Sequence, residues 1–383
     1  MSPTHPSTRQ SWSASLLRRD LNARAHHLAR TQNLLHDTVP GPKSENEPAI
    51  IFGHDDQGHH GNFHPDAYAQ ICANPAWLRR LAKPHTASRR SIARKDWPWR
   101  ELDSAASSDA LLMNIFCHPG VFNGHTLAPA VADVLNVDPT AQPNFGLTPG
   151  VPLKTLRKTR KPKQDSTTTT SNQQLTPNNP HHSDRTEIDL QLDNLFFEAK
   201  LTEFTFQTAP LRLIERYRDL EAVFDLDRLP RKTLSTPTTH PPVEDESQLE
   251  PEFEPEVGVS DVVILTLNSS KGKNPRISPT PSPISIETQA PFKTSSKPKT
   301  RTLIQGYQLI RNVLAAYAAD ASFCVLCDAR RQDLIEIWYS VLSAVHRPTF
   351  ATRLKLLTWQ ELTTTLPQDL QHFLEAKYGI RTA

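Results

Sequence analysis

The 383 residues contain no phosphate-cradling glycine loop, no Gly-x-Ser-x-Gly elbow and no His-Glu-x-x-His. Their absence weakens nucleotide-hydrolase, esterase and zinc-protease readings. Only four cysteines are present, too few for a disulfide framework and in keeping with a reducing compartment. Cys324 and Cys327 form one CxxC, but an offset of three puts them on opposite faces of a strand, so they should not chelate one ion together. No uninterrupted apolar stretch is long enough to span a bilayer, and Met1 to Gln10 is polar with no apolar core behind it. The expectation is a cytoplasmic protein without a membrane partner. Net charge is small as well, +2 with histidines neutral, so bulk electrostatics does not announce a nucleic-acid binder.

Proline, by contrast, is abundant: 33 residues, concentrated in a few stretches that shrink the foldable portion of a chain whose size alone suggests two or three domains. Lys154 to Arg185 is basic, then rich in Thr, Asn and Pro, and reads as disordered. Pro230 to Thr300 mixes Pro, Ser and Thr with the acidic run from Glu244 to Glu256, interrupted only by Val262 to Leu267, an edge-strand candidate. The expected division is a basic helix or tail (1–42), the first part of a core (43–150), an insert (151–185), a hairpin and its following segment (186–229), a second insert (230–300) and the last part of the core (301–383). One core would then be assembled from three separated pieces, around loops of a length that usually marks function or disorder.

The hairpin carries the chemistry. From Thr186 to Leu192, Ile188, Leu190 and Leu192 alternate with Glu187, Asp189 and Gln191; from Leu195 to Phe204, Phe197, Ala199 and Leu201 alternate with Glu198, Lys200 and Thr202. Asp193 and Asn194 both tolerate the positive φ of a tight turn. A two-residue loop pairs Leu192 with Leu195, which sets Asp189 opposite Glu198 and Glu187 opposite Lys200. Facing carboxylates repel unless a cation sits between them. Mg²⁺ takes one or two carboxylates and leaves room for water and substrate phosphate, where it polarises a phosphoryl oxygen and acidifies water. Lys200, on the same face as Glu198, could orient that water or stabilise developing negative charge. The bland alternative is a solvated strand face. Glu375-Ala376-Lys377 repeats the tripeptide where Leu370, Phe373 and Leu374 follow helical spacing, and there a solvated helix face is expected.

Asp189 followed across a hairpin by Glu198-Ala199-Lys200 resembles the signature of the PD-(D/E)XK nuclease superfamily, the restriction-endonuclease-like fold. Ser107 to Leu111 with Asn114 to Phe116, Tyr307 to Asn312, Cys327 to Leu334, Thr358 to Leu362 and Lys377 to Ile380 resemble a little-studied bacterial branch of restriction endonucleases. Two departures stand out: no Pro precedes Asp189, and Asp109 stands where this branch would have Gln. The resemblance implies an α/β core with a central mixed sheet, one helix before the hairpin and one after it. It implies Asp189, Glu198 and the Ala199 carbonyl as holders of Mg²⁺ or Mn²⁺, and Lys200 as the residue positioning the nucleophile. Glu187 is either a supporting ligand or a partner for Lys200, and Gln308 and Asn114 would shape the site from the two helices. The substrate would be DNA, and cutting both strands would favour a homodimer.

The residues accommodate that order. Ser107 or Ser108 suits an N-cap for a buried helix over Ala110 to Cys117, stopped by His118-Pro119-Gly120. Tyr307 to Ala319 reads as a second helix, Phe323 to Asp328 as a buried strand and Leu334 to Val345 as a helix. For DNA contact the strongest stretch holds Arg79, Arg80, Lys83, Arg89, Arg90, Arg94, Lys95 and Arg100 against Asp96 alone, with Trp97 and Trp99 among them. A second basic segment, Leu16 to His36, reads as a surface helix. His54, His59, His60 and His64 lie among Gly53, Gly58 and Gly61 without metal-ligand spacing, so a polar loop is expected. The functional reading is a metal-dependent endonuclease. The alternative from another class is a nucleic-acid-binding or protein-interaction module that keeps the fold without cleaving.

Overall fold

Five short runs that are apolar or alternate with period two come together as a mixed sheet: β1 (Pro143–Leu147), β2 (Ile188–Leu192), β3 (Leu195–Ala199), β4 (Ser322–Cys327) and β5 (Leu354–Thr358). The computed structural model describes residues 11–39, 49–55, 58–84, 100–154, 183–235 and 300–382. Arg89, Arg90, Arg94, Lys95, Trp97, Trp99 and Val262 to Leu267 lie outside the described residues. Residues 1–234 and 301–383 make up one unit and 235–300 another.

The sheet order is β5-β4-β3-β2-β1. β2 and β3 are antiparallel, with Leu192 opposite Leu195 and Leu190 opposite Phe197, and Asp193 at φ 51° makes the tight turn the sequence calls for. β1 adds antiparallel to β2, while β3, β4 and β5 run parallel. Parallel neighbours need a crossover. Helices α5 (Tyr307–Ala318) and α6 (Gln332–Ser343) supply it on either side of β4; α1 (Ala14–Thr31), α2 (Pro65–Ala73), α3 (Pro75–Leu81) and α4 (Ser108–Phe116) precede the hairpin, and α7 (Gln368–Tyr378) closes the chain.

Strand alternation divides the core into two layers. Leu195, Phe197, Ala199, Cys324 and Leu326 join the cluster that includes Leu111, Ile115 and Leu370 from α4 and α7. Phe196, Phe323, Val325 and Cys327 join Leu309, Val313, Leu334 and Trp338 from α5 and α6. Each fully buried Leu, Val or Phe contributes about 1.5–3 kcal/mol. Cys324 and Cys327 therefore face opposite ways, as their spacing requires, and both thiols are free.

Capping places the helices that flank the hairpin. The Ser107 hydroxyl accepts the Ala110 N–H at 3.2 Å, and every residue of α4 after Ser108 is buried. α5 starts after Gly306, whose φ of 74° no β-branched residue would adopt readily and where a Cβ would sit 2.7 Å from Val341 Cγ2. Two expectations need correction, and one alternative falls away. β3 stops at Ala199 and does not reach Phe204: the Lys200 N–H still makes a ladder bond to Leu326 O on β4 (2.8 Å), but the Leu201 N–H turns away to the Glu203 carboxylate (2.6 Å). The polar face of β3 is not solvated: all five of its residues are buried, as befits a central strand with helices on both sides. Lys377 on α7 is not on a solvated face either. It is buried, donates to Gly61 O and Asn62 Oδ1, and lies 4.3 Å from the Phe52 ring centre. Local periodicity gave no sign that distant chain covers this face.

Candidate active site

Continuing the Leu190–Phe197 register sets Asp189 across from Glu198, at the end of the hairpin where β3 leaves off. The Glu198 side chain is buried, 1% exposed, on the side covered by α5. Its Oε1 accepts from Lys200 Nζ (2.8 Å) and Gln308 Nε2 (2.6 Å), and its Oε2 accepts from Asn312 Nδ2 (2.6 Å). Asn312 is held in turn by the Thr186 hydroxyl, which donates to its Oδ1 at 2.7 Å. Asp189 Oδ2 accepts the Ala199 N–H at 2.8 Å. The peptide between Ala199 and Lys200 is trans. Its N–H points at β4, so its carbonyl, that of Ala199, points away from β4 and toward β2. Asp189 is thus near enough for the Glu198 charge to act on it, with Lys200 bonded to Glu198 and the Ala199 carbonyl directed to the side of β3 that Asp189 occupies.

This donor set suits a hard cation. It consists of oxygens alone, two of them on carboxylates that destabilise each other's charge. Burial pushes the Asp189 carboxyl well above the usual aspartate range, and the charges of Glu198 and Asp109 add to the rise against Lys200 and the Ala199 N–H. Burial works against the Lys200 ammonium, yet Glu198, Glu203 and Asp189 outweigh it and hold its pKa above the ordinary lysine value. Lys200 is therefore a fixed positive charge, suited to orienting an oxygen or stabilising negative charge and unsuited to accepting a proton.

Other candidates fall into place differently. Glu187 does not pair with Lys200, because β2 begins only at Ile188 and β3 ends before Lys200; it accepts from Arg80 Nη2 (2.6 Å) and Lys83 Nζ (2.9 Å). The same two cations hold Asp109, at 2.8 and 2.9 Å, which gives the residue that departs from the family pattern a definite partner set. Arg79 is exposed on α3. Asn114 is engaged elsewhere: its Oδ1 accepts the His64 N–H at 2.6 Å and its amide donates to Asn62 O and Ala110 O, so it ties α4 to the segment before α2. Asn312 and Thr186 were not anticipated. Asn312 had a legible signal, since it lies four residues after Gln308 on one helix face.

The four loop histidines do not converge. His59 lies 3.2 Å from Asp55, His60 is buried 3.2 Å from Asp103, and His64 stacks edge-on with His118 near Asp369. His64, Asp66, His118 and Asp369 gather ligand atoms within 4.8 Å. However, the Asp66 N–H donates to Nδ1 of His64 (3.3 Å) and the Gly120 N–H to Nδ1 of His118 (3.1 Å). A neutral imidazole whose Nδ1 accepts carries its proton on Nε2. Both rings then carry the proton on Nε2, 4.0 Å (His64) and 3.3 Å (His118) from Asp369 Oδ2 and not hydrogen-bonded to it, and neither offers a lone pair there.

Comparison with known proteins agrees with the resemblance. The model of the family Restriction Endonuclease associating with ARP matches residues 34–249 and 280–379, well over half of the chain, and the protein belongs to this family of restriction endonucleases. Neither the curated proteins nor the solved structures yield a match. Among the described residues no helix is long and apolar enough to cross a membrane.

Proposed function

We propose that the protein is a metal-dependent endonuclease with a restriction-endonuclease-like core that hydrolyses DNA phosphodiester bonds at Asp189, Glu198 and Lys200. One observation supports the reading: at the end of β3 a buried Glu198 carboxylate, bonded to a buried ammonium, acts electrostatically on the Asp189 carboxyl that faces it across the hairpin. Mg²⁺ or Mn²⁺, held by Asp189, Glu198 and the Ala199 carbonyl, would supply Lewis-acid polarisation of the phosphoryl group and acidify water. The rest of the work belongs to the chain. Gln308 and Asn312 keep the Glu198 carboxylate from rotating, the Ala199 N–H keeps Asp189 turned toward β3, and Lys200 offsets negative charge that grows as water oxygen bonds to phosphorus and the ester P–O bond breaks. Family membership supports DNA as the substrate.

The test is incubation of purified protein with plasmid, with and without Mg²⁺ or Mn²⁺, alongside Asp189→Ala. Cleavage that needs the cation and disappears in the variant is the expected result. DNA binding without any cation-dependent cleavage by the parent protein would instead support a module that keeps the fold and does not cut.

A further inference from the structure

Arg80 and Lys83 sit at the end of α3, beside the hairpin, and share two carboxylate oxygens between them. Asp109 Oδ2 accepts from Arg80 Nη2 and Lys83 Nζ at 2.8 and 2.9 Å; Glu187 Oε1 accepts from the same two atoms at 2.6 and 2.9 Å. The guanidinium is seated against Gly146 of β1, at φ 68°, where a Cβ would overlap Arg80 Nη1. The two carboxylates are not equivalent. Asp109 is built into α4 with its side chain 8% exposed, a permanent counter-ion for one positive charge. Glu187 is 39% exposed and sits on irregular backbone just before β2, so it can swing away without disturbing a strand or helix.

If Glu187 leaves, one positive charge is uncompensated, and a guanidinium and an ammonium aim at one vacated oxygen position. That is the donor geometry for a phosphate oxygen. The position is also the right one. Glu187 and Asp189 are two residues apart, about 7 Å along an extended chain, and share the same parity. A chain of phosphates lying along this edge could place one at Asp189 and Glu198 and its neighbour at Arg80 and Lys83.

We propose that Arg80 and Lys83 form a seat for the backbone phosphate adjacent to the one cut, and that Glu187 occupies this seat until nucleic acid displaces it. The inference rests on the nuclease reading of the same site but makes a separate claim. Glu187 would act as a mask, lowering affinity for weakly held nucleic acid and giving way only when the rest of the backbone is engaged. The bland alternative is a structural ion-pair network that ties α3 to the hairpin.

The two differ in salt dependence. Each phosphate neutralised by a protein cation normally steepens the slope of log K against log salt by about 0.9, because counter-ions are released from the nucleic acid. In the parent protein the displaced Glu187 carboxylate stays close to the nucleic acid, and its like charge offsets much of that gain. Binding of a fluorescein-labelled DNA duplex is therefore measured by anisotropy in EDTA over a range of NaCl concentrations for the parent, Glu187→Gln and Lys83→Met. Glu187→Gln is expected to bind roughly fivefold more tightly at moderate salt, a modest single-charge effect, with a slope steeper by about one. Lys83→Met should bind more weakly with a shallower slope. Thermal melts report whether each variant is folded. An unchanged or weaker affinity and an unchanged slope for folded Glu187→Gln overturns the proposal, as does absence of binding by both parent and variant. If Glu187→Gln does not fold, a Lys83→Met affinity and slope equal to the parent's overturns it. A parent that binds with this pattern and never cuts removes the nuclease reading and leaves the seat, whereas a cutting parent with no Glu187→Gln effect removes the seat alone.

Discussion

Gln308 and Asn312, one turn apart on α5, divide the carboxylate of Glu198 between them, the first donating to Oε1 and the second to Oε2, each at 2.6 Å. The direction of this strand residue is thus set by a helix more than a hundred residues downstream. A carboxylate held at both oxygens cannot rotate, which is the preorganisation a charge-handling site requires.

Asn312→Ala should therefore lower stability and activity together. It leaves Glu198 Oε2 and the Thr186 hydroxyl without buried partners, an effect of about 1–3 kcal/mol in urea unfolding. Gln308→Ala, which leaves Asn312 and Lys200 on Glu198, should cost less in stability, and a comparison of the two in cleavage assays separates orientation of Glu198 from its packing.

Lys200→Ala should reduce cleavage on the order of 100-fold or more while DNA affinity in EDTA changes little, because the ammonium is buried against Glu198 and is aimed at reacting charge. Equal losses in cleavage and in affinity would assign Lys200 to binding instead.

Asp189→Asn should stabilise the cation-free protein. A carboxyl whose folded pKa is raised binds a proton more readily folded than unfolded. Stability is then lost as pH rises from the ordinary aspartate value of about 3.9 through the raised folded value. In EDTA the variant should melt a few degrees above the parent at about pH 8, with the gap closing toward about pH 4. Added Mg²⁺ should raise the melting temperature of the parent and not that of the variant.

The stability of Lys377→Met relative to the parent should be greatest at low pH, set against the loss of the bonds to Gly61 O and Asn62 Oδ1. Burial holds the Lys377 amine well below the ordinary lysine range, and among the described residues no carboxylate pairs with it. The unfolded chain binds the proton more tightly, so parent stability climbs with pH from the depressed folded value up to about 10.4. Urea unfolding at about pH 6.5 and about pH 9.5 should show the stability of the methionine variant, relative to the parent, falling at the higher pH.

Gly306→Ala should cost about 1–3 kcal/mol, since φ of 74° is strained for alanine and its Cβ would press on Val341 Cγ2 at 2.7 Å. A loss well below this in chemical denaturation would mean that α6 shifts to accept the methyl group.

Much of the sheet and half of the site were legible in the chain. Period-two alternation and the Asp193-Asn194 turn specify the register of β2 and β3, and with it the facing of Asp189 and Glu198, because both are local properties of a two-residue hairpin. The helical spacing of Tyr307 to Ala318 and the cap at Ser107 are local in the same way. Glu187 shows where this reasoning ends: its parity pointed to Lys200, but its charge was claimed by Arg80 and Lys83 from another helix.

What the amino-acid order determined by itself is the hairpin, its flanking helices and the oxygen-rich, lysine-bearing chemistry at its open end, since each depends on residues within a few positions of one another. Which buried group holds which was decided by the tertiary structure. Asn312 reaches Glu198, Arg80 reaches Glu187 and Asp109, and Lys377 disappears beneath Phe52 only because distant segments are packed together, and a buried charge must take whatever partner that packing brings within reach.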